Sequence, residues 1–295
     1  MKTRSRGQGA AWRWVAPAAL VLGLLILVPA AFLLYVSLTG YELGFPWAER
    51  AFVGLGNYRE LSGGSDHEFW VSVWRSVEYA SLVTAGSLLL GMGVALLLNA
   101  TGRGRTLVTL VVIMPLAISH AIGGLMWKLM YNVEFGILNH VLGVLLGLKM
   151  NWLSHGLALY AAAVVGIWMA APFVALFFLA GLQSLPRAPF EAARVDGASG
   201  WQVFRHLTLP LLRPIVLVVT LFTVIDALRS FGSIYLLTEG GPGVATLVLP
   251  LYMYRTGFGY SSILGKGSAI AFVLILLTMA LAGILVHMMR RAREA

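Results

Sequence analysis

Apolar positions in this chain come in long blocks separated by short polar stretches. The blocks cover Trp14 to about Leu38, Val77 to Leu98, Thr106 to Trp127, Gly156 to Gly181, Pro214 to Leu237 and Gly267 to Met289. Each is about 20 residues or longer, the length of helix that crosses the ~30 Å hydrocarbon core of a bilayer. A helix satisfies its own backbone hydrogen bonds there, and blocks this long and uniform predict helices. The pattern predicts an all-α, polytopic membrane protein with six transmembrane helices. The first block follows Lys2, Arg4, Arg6 and Arg13 and so imitates a secretory signal. It is too long for one and reaches Tyr35 without a small-x-small cleavage site, so it reads as a retained first helix.

The polar stretches set the expected orientation. Thirteen of the 21 Lys and Arg fall in the N-tail, at Arg103 and Arg105, between Arg187 and Arg213, and at Arg290, Arg291 and Arg293. Cations are retained on the cytoplasmic side, so both termini are expected to be cytoplasmic. The organisation predicted is a cytoplasmic N-tail (1–13), a six-helix transmembrane domain (14–289) containing a cytoplasmic loop (182–213), and a cytoplasmic C-tail (290–295).

Composition sharpens this picture. Hydrophobic residues make up 59% of the 295 and charged residues 11%, against roughly 25% charged in soluble domains. No sizeable soluble domain fits beside six spans. The formal charge of +9 follows from the retained cations and implies no nucleic-acid partner. The absence of cysteine excludes disulfides, thiolate metal sites and cysteine nucleophiles. Ser87, Gly91, Ala95 and Asn99 recur every four residues, as do Ala158, Ala162, Gly166 and Ala170. Each set forms a small-residue face on which another helix can pack closely.

The most informative segment is the loop 182–213. Pro186 and Pro189 suit a helix entrance, Glu191 suits the positive end of its dipole, and Gly197 can supply a left-handed stop. A short helix, a sharp turn and a second short helix ending at Pro210 are expected. Ala192 and Ala193 keep one face flat, while Phe190, Trp201 and Phe204 offer apolar anchors for a partner protein.

Glu191-Ala192-Ala193, Gly197, Leu207 and Leu209-Pro210 stand at the spacing that marks the inner-membrane permeases of binding-protein-dependent ABC importers, with Leu207 where Ile is usual. The chain resembles that family over most of its length. Phe52-Val-Gly-Leu-Gly-Asn-Tyr58, Met114-Pro115, Trp127-Lys128, Phe135-Gly-Ile-Leu-Asn139, Asp226-Ala-Leu-Arg229-Ser-Phe231 and Leu236-Leu-Thr-Glu-Gly-Gly-Pro-Gly243 are similar to its carbohydrate branch, which takes maltose-type and trehalose-type disaccharides and glycerol phosphate. Relatives often carry Asp where this chain has Gly232.

The resemblance implies a type I importer permease fold and an ATPase-coupling segment comprising Phe190, Glu191, Ala192, Ala193, Asp196, Gly197, Leu207, Leu209 and Pro210. It implies a second homologous permease in a heterodimer, two cytoplasmic ATPases that carry ATP and Mg, an extracytoplasmic solute-binding protein, and residence in the cytoplasmic (inner) membrane. No cofactor or metal is expected on this chain.

Candidates for a solute path are Trp127, Tyr131, Asn132, Asp226 and Arg229. Asp226 and Arg229, three apart, share a helix face; they either line the path or pair with each other, and the mutual pair is the cheaper reading. Trp127, Lys128, Tyr131 and Asn132 suit either a sugar-facing surface or the interfacial belt of any membrane protein. His120 has no acidic neighbour in sequence and reads as a packing residue.

Two other classes fit less well. Gly197-Ala-Ser199-Gly200 formally matches an intramembrane serine-protease pattern, but Ser199 lies in a hydrophilic connector rather than in an enclosed site with a His base. Gly265-Lys266-Gly267-Ser268 lacks the spacing of a phosphate loop, since Tyr260 stands where a glycine belongs and Gly267 follows the lysine. A secondary transporter would show inverted repeats, and none is evident.

Overall fold

A computed structural model of the chain describes residues 6–64, 66–102, 104–259 and 262–294, with side chains from 15 to 291. The expectations resting on Lys2, Arg4, Arg103 and Tyr260, and on the side chains of Arg6, Arg13 and Arg293, lie outside the described residues. The architecture is helical. In chain order the helices are α1 (Arg6–Ser37), α2 (Gly56–Ser62), α3 (His67–Ala100), α4 (Arg105–Ile113), α5 (His120–Met130), α6 (Ile137–Leu146), α7 (Ala158–Ser184), α8 (Ala188–Val195), α9 (Gly200–Val203), α10 (Leu209–Leu228), α11 (Gly232–Thr238), α12 (Leu249–Phe258) and α13 (Leu264–Glu294). Among the described residues no β-sheet forms; Thr39 with Phe52 and Glu42 with Ile263 make isolated antiparallel bridges.

Among the described residues, five segments are long and apolar enough to cross a bilayer: Val15–Ser37, His67–Ala100, Ala158–Ser184, Gly200–Leu228 and Leu264–Arg291. A sixth crossing is possible only as a bent pair, Arg105–Ala117 with His120–Met130, folded by 102°. The single helix expected over Thr106–Trp127 is therefore broken in two. Pro115 sits at the start of a 3-10 turn (Met114–Ala117), Ile118 is extended, and Ser119 starts a new helix by accepting a hydrogen bond from Ile122 N–H at 3.3 Å. Proline without its N–H, followed by a capping serine, breaks the ladder and restarts it.

Other boundaries also differ. α3 begins ten residues before Val77, because Trp70, Trp74 and the Arg75–Glu78 pair (2.8 Å) continue the helix beyond the purely apolar block. The block Pro214–Leu237 is two helices, with Arg229, Ser230 and Phe231 between them.

The chain divides into two compact units. In the larger, residues 67–252 and 275–295, the core is the α3–α7 pair. Ser87, Ala95, Ala158 and Ala162 are buried at its seam. A Cβ at Gly91 would lie 2.6 Å from Val174 Cγ1, and one at Gly166 would lie 2.7 Å from Val83 Cγ2. Each small-residue face thus admits side chains of the other helix, Val174 at Gly91 and Val83 at Gly166, although Asn99 at the helix end is exposed. Ala95, Leu98, Val174, Phe178 and Val219 bring α10 onto the same core.

The smaller unit, residues 1–66 and 253–274, is knotted by polar contacts. Asn57 donates from Nδ2 to Ser37 O (2.8 Å) and Thr39 O (2.9 Å), so its motif serves as a clamp on the chain after α1. Lys266, only 12% exposed, is held by Glu60 at 2.6 Å and Asp66 at 2.8 Å. Gly267 lets α13 approach Gly257 of α12, where an added Cβ would stand 2.8 Å from Gly257 Cα. The glycines beside Lys266 therefore serve close backbone contact.

Candidate functional site

The loop between α7 and α10 is ordered by two local devices. The first is the helix stop. Pro189 lies in the first turn of α8, where its missing N–H costs nothing, and Glu191 follows at the positive end of the dipole. At the other end Gly197 adopts φ +73°. Gly197 N–H donates to Arg194 O (3.1 Å) and Ala198 N–H to Ala193 O (2.9 Å), the paired bonds of a Schellman stop. The side chains of Glu191, Ala192, Arg194 and Asp196 are left exposed around it.

The second device is a capping box. Ser199 Oγ accepts from Gln202 N–H at 3.4 Å, and Gln202 Oε1 accepts from Ser199 N–H at 2.7 Å. The hydroxyl that mimicked a protease nucleophile is a helix cap. Ser199→Ala is expected to cost about 1 kcal/mol of local helix stability, and Ser199→Asn to restore most of it. Amide hydrogen exchange over residues 199–204 measures this, and equal losses in both variants would exclude a capping role.

The second short helix does not end at Pro210. α9 continues through a wide turn at Phe204–Thr208 into α10, so that Gly200–Leu228 is one helix of 29 residues. Pro210 cannot supply the N–H that an α-helix would send back to His206 O. The ladder widens just before it, with Leu209 N–H reaching Phe204 O. Leu207, Leu209 and Pro210 thus form the root of a long helix rather than part of a separate surface helix. Beside them Ala193, Gly197, Ala198, Val203, His206 and Leu207 line an open groove of about 450 Å³. Val195 (88% exposed) and Trp201 (67%) project from its surroundings, with Trp201 stacked on Phe204 at 5.6 Å.

The remaining candidates separate into two groups. Tyr131 is 3% exposed and donates its hydroxyl to Ala161 O at 3.0 Å. Asn132 Oδ1 accepts from Glu134 N–H (2.9 Å) and Phe135 N–H (3.2 Å). Of these two solute-path candidates, the Tyr131 hydroxyl and the Asn132 amide oxygen are engaged in holding the chain. Trp127 joins Tyr131 at 5.3 Å and Trp168 at 5.9 Å in an aromatic cluster. The Asn139 side chain, unnoticed in sequence as a buried hub, bonds Met150 and Trp152 and ties the segment after α5 to that before α7.

Asp226 does not pair with Arg229. Its Oδ2 faces His120 Nε2 at 3.8 Å, with side-chain exposures of 66% and 56%. Arg229 ends α10 and has no ion pair among the described residues. The pair is possible because two breaks meet: a Cβ at Gly124 of α5 would lie 2.8 Å from Ser233 Cα of α11, and one at Gly232 would lie 3.3 Å from Ala121 N. His120 therefore sits at a helix start, opposite the last turn of α10, and Phe222, Asp226 and Arg229 form an exposed stripe beside it. Pro115 followed by Ser119 was the signal for this break. The acidic partner, 106 positions away, left none.

Comparison with known proteins places this geometry. Residues 87–294 match the family described as binding-protein-dependent transport system inner membrane component. The trehalose/maltose transport system permease protein MalF of Thermococcus litoralis is 37% identical over 268 residues, covering 89% of this chain and 88% of that protein. The sulfoquinovosyl glycerol transport system permease protein SmoG of Agrobacterium fabrum is 36% identical over 279 residues, covering 94% and 89%. A chain in the crystal structure of a bacterial alginate ABC transporter, in complex with an alginate pentasaccharide-bound periplasmic protein, shares the fold with a TM-score of 0.80 at 20% identity, covering 97% of this chain and 96% of that one. The family match runs from within α3 to the end of α13, taking in the loop 182–213 and both helix breaks, and the chain belongs to the inner membrane components of binding-protein-dependent transport systems.

Proposed function

We propose that this permease forms one half of a carbohydrate pathway, driven by ATP hydrolysis on separate cytoplasmic subunits docked at the loop 182–213. The observation that carries the reading is the joint between loop and helix. The Glu191–Gly197 segment ends in a defined stop and feeds, through Ser199, into a single helix reaching the His120–Asp226 pair. Phe190, Glu191, Ala192, Ala193, Asp196 and Gly197 provide the docking surface, and Leu207, Leu209 and Pro210 the root that transmits its movement. ATP and Mg belong to the two ATPases, and an extracytoplasmic binding protein delivers the solute.

The exposed stripe Phe222–Asp226–Arg229 and the exposed Ile122, Leu125 and Met126 of α5 give the pathway one wall. A second, homologous permease supplies the other, as a heterodimer. An aromatic face stacks on a sugar ring, while a carboxylate, an imidazole and a guanidinium bond its hydroxyls. Broken helices suit this task, because freed backbone groups lie where they line a cavity. The related permeases named for trehalose/maltose and sulfoquinovosyl glycerol, and the fold shared with an alginate transporter chain, support a carbohydrate. The cation-rich loop and tails support cytoplasmic termini.

The test is uptake by proteoliposomes holding the complete transporter, with a panel of labelled disaccharides and sugar glycosides. Glu191→Lys is expected to leave insertion intact, weaken ATPase retention by about tenfold, the equivalent of 1.4 kcal/mol, and lower uptake in step. Uptake by this chain without an ATPase, driven by an ion gradient, would reject the proposal.

A further inference from the structure

α6 carries its polarity the wrong way round for a water-exposed connector. Its ten residues are Ile137-Leu-Asn-His-Val-Leu-Gly-Val-Leu-Leu146. Asn139, the most polar of them, is 3% exposed and turned inward, where it bonds Met150 through both amide atoms and accepts from Trp152. The apolar residues face out: Ile137 is 51% exposed, Val141 46%, and Val144 and Leu145 73% each. At 100° per residue these four fall on one helix face. Leu146 (65%) and Leu148 (55%) extend the surface past the helix end. No Asp, Glu, Lys or Arg lies between Ile137 and Leu148; the flanking Glu134 and Lys149 pair with each other at 3.4 Å.

We propose that α6 is an interfacial helix lying along the lipid surface, at the membrane face opposite the docking loop, with Ile137, Val141, Val144 and Leu145 set into the headgroup–acyl boundary. At about 15 Å long it is too short to cross the core. Its position holds it at the boundary: it lies in the connector between the end of one crossing segment, Met130, and the start of another, Ala158, and Asn139 ties the two sides of that connector together. The occupant follows from permanence. A water-soluble partner that docks and leaves would return this contiguous apolar face to water in every cycle, a state soluble surfaces avoid. Lipid covers it continuously. The Glu134–Lys149 pair at its edge suits the polar side of that boundary. The inference rests on the chain's place in a membrane and not on its solute or its ATPases.

The absence of cysteine makes the test direct. Val144→Cys, Leu145→Cys and Lys149→Cys variants would each carry one nitroxide label on this chain, in the complete transporter assembled with cysteine-free variants of its partner subunits and reconstituted into phosphatidylethanolamine–phosphatidylglycerol liposomes. Power-saturation EPR with oxygen and with a water-soluble nickel chelate reads the surroundings. Oxygen is expected to dominate relaxation at 144 and 145, with loss of the chelate effect, and the chelate to dominate at 149. Chelate access at 145 equal to that at 149 would place the face in water. Exclusion of both reagents, or protection that appears only with the binding protein present, would place it under protein. Either result overturns the proposal, and neither depends on transport activity.

Discussion

Gly197→Val is expected to leave the protein inserted and folded while lowering ATP-driven uptake by about tenfold or more. Backbone conformation alone sets this effect. Gly197 holds φ +73°, and an added Cβ would meet nothing within 4 Å, so no steric clash confuses the result. A residue with a Cβ pays roughly 1–2 kcal/mol in that left-handed region, and a β-branched one pays most. The Schellman bonds from Gly197 and Ala198 fix where α8 points. When the stop is strained, the loop is expected to relax to another exit, and the proposed docking surface to be lost before any span is disturbed. Gly197→Asn, which tolerates the left-handed region, should fall between Gly and Val. Proteoliposome uptake and ATPase co-purification check the order; uptake in the valine variant equal to that of the native chain would remove the stop from the mechanism.

The second large effect is expected at the meeting of the two helix breaks. Gly124→Leu would drive a side chain into the backbone of Ser233, whose Cα lies 2.8 Å and whose carbonyl carbon lies 2.9 Å from the ideal Cβ. Backbone at a helix start cannot swing aside as a side-chain tip can, so α5 and α11 must separate. Overpacking of this kind costs about 1–3 kcal/mol. In the detergent-solubilised complex this should appear as a fall of roughly 2–4 °C in melting temperature per kcal/mol. Uptake should fall further than stability, because the same displacement pulls His120 away from Asp226. Gly93→Leu is the control: its Cβ meets nothing within 4 Å, and it should stay near native in both readings. Equal behaviour of the two variants would show that the α5–α11 contact is not needed.

Hydropathy located the helical mass of this protein but not its interruptions. Lipid imposes a length and a composition on every crossing, so the six apolar blocks were legible without any tertiary information. The kink at Pro115–Ser119 and the break at Arg229–Phe231 interrupt apolar sequence, where a hydropathy window averages across them. Proline followed by a capping serine was readable for the first. For the second, the sequence Arg229-Ser-Phe231 holds neither glycine nor proline.

The backbone of the loop 182–213 was the most legible local structure, since its Pro, Glu and Gly act through local backbone rules. It was misread only at Pro210, which widens a helix instead of ending it. Asp226 stood out in sequence as a charge within an apolar block, but its neighbour is His120 and not Arg229. Arg229, three residues along, was the obvious partner in one dimension, whereas His120 is reached only in three. Residue type alone cannot show that the Tyr131 hydroxyl and the Asn132 amide oxygen are engaged by backbone.

The unbroken helix from Gly200 to Leu228 has a consequence for how information can travel. At 1.5 Å per residue it is a rod of about 43 Å, and a tilt of about 5° at its root moves its far end by about 4 Å, enough to make or break a hydrogen bond at Asp226. A rod transmits in both directions. Under the proposed docking, a solute that favours one setting of the His120–Asp226 gap must change, by the same free energy, how firmly the loop grips its motor. The membrane end would then report its occupancy to the cytoplasm, and the motor need not fire when the pathway is empty.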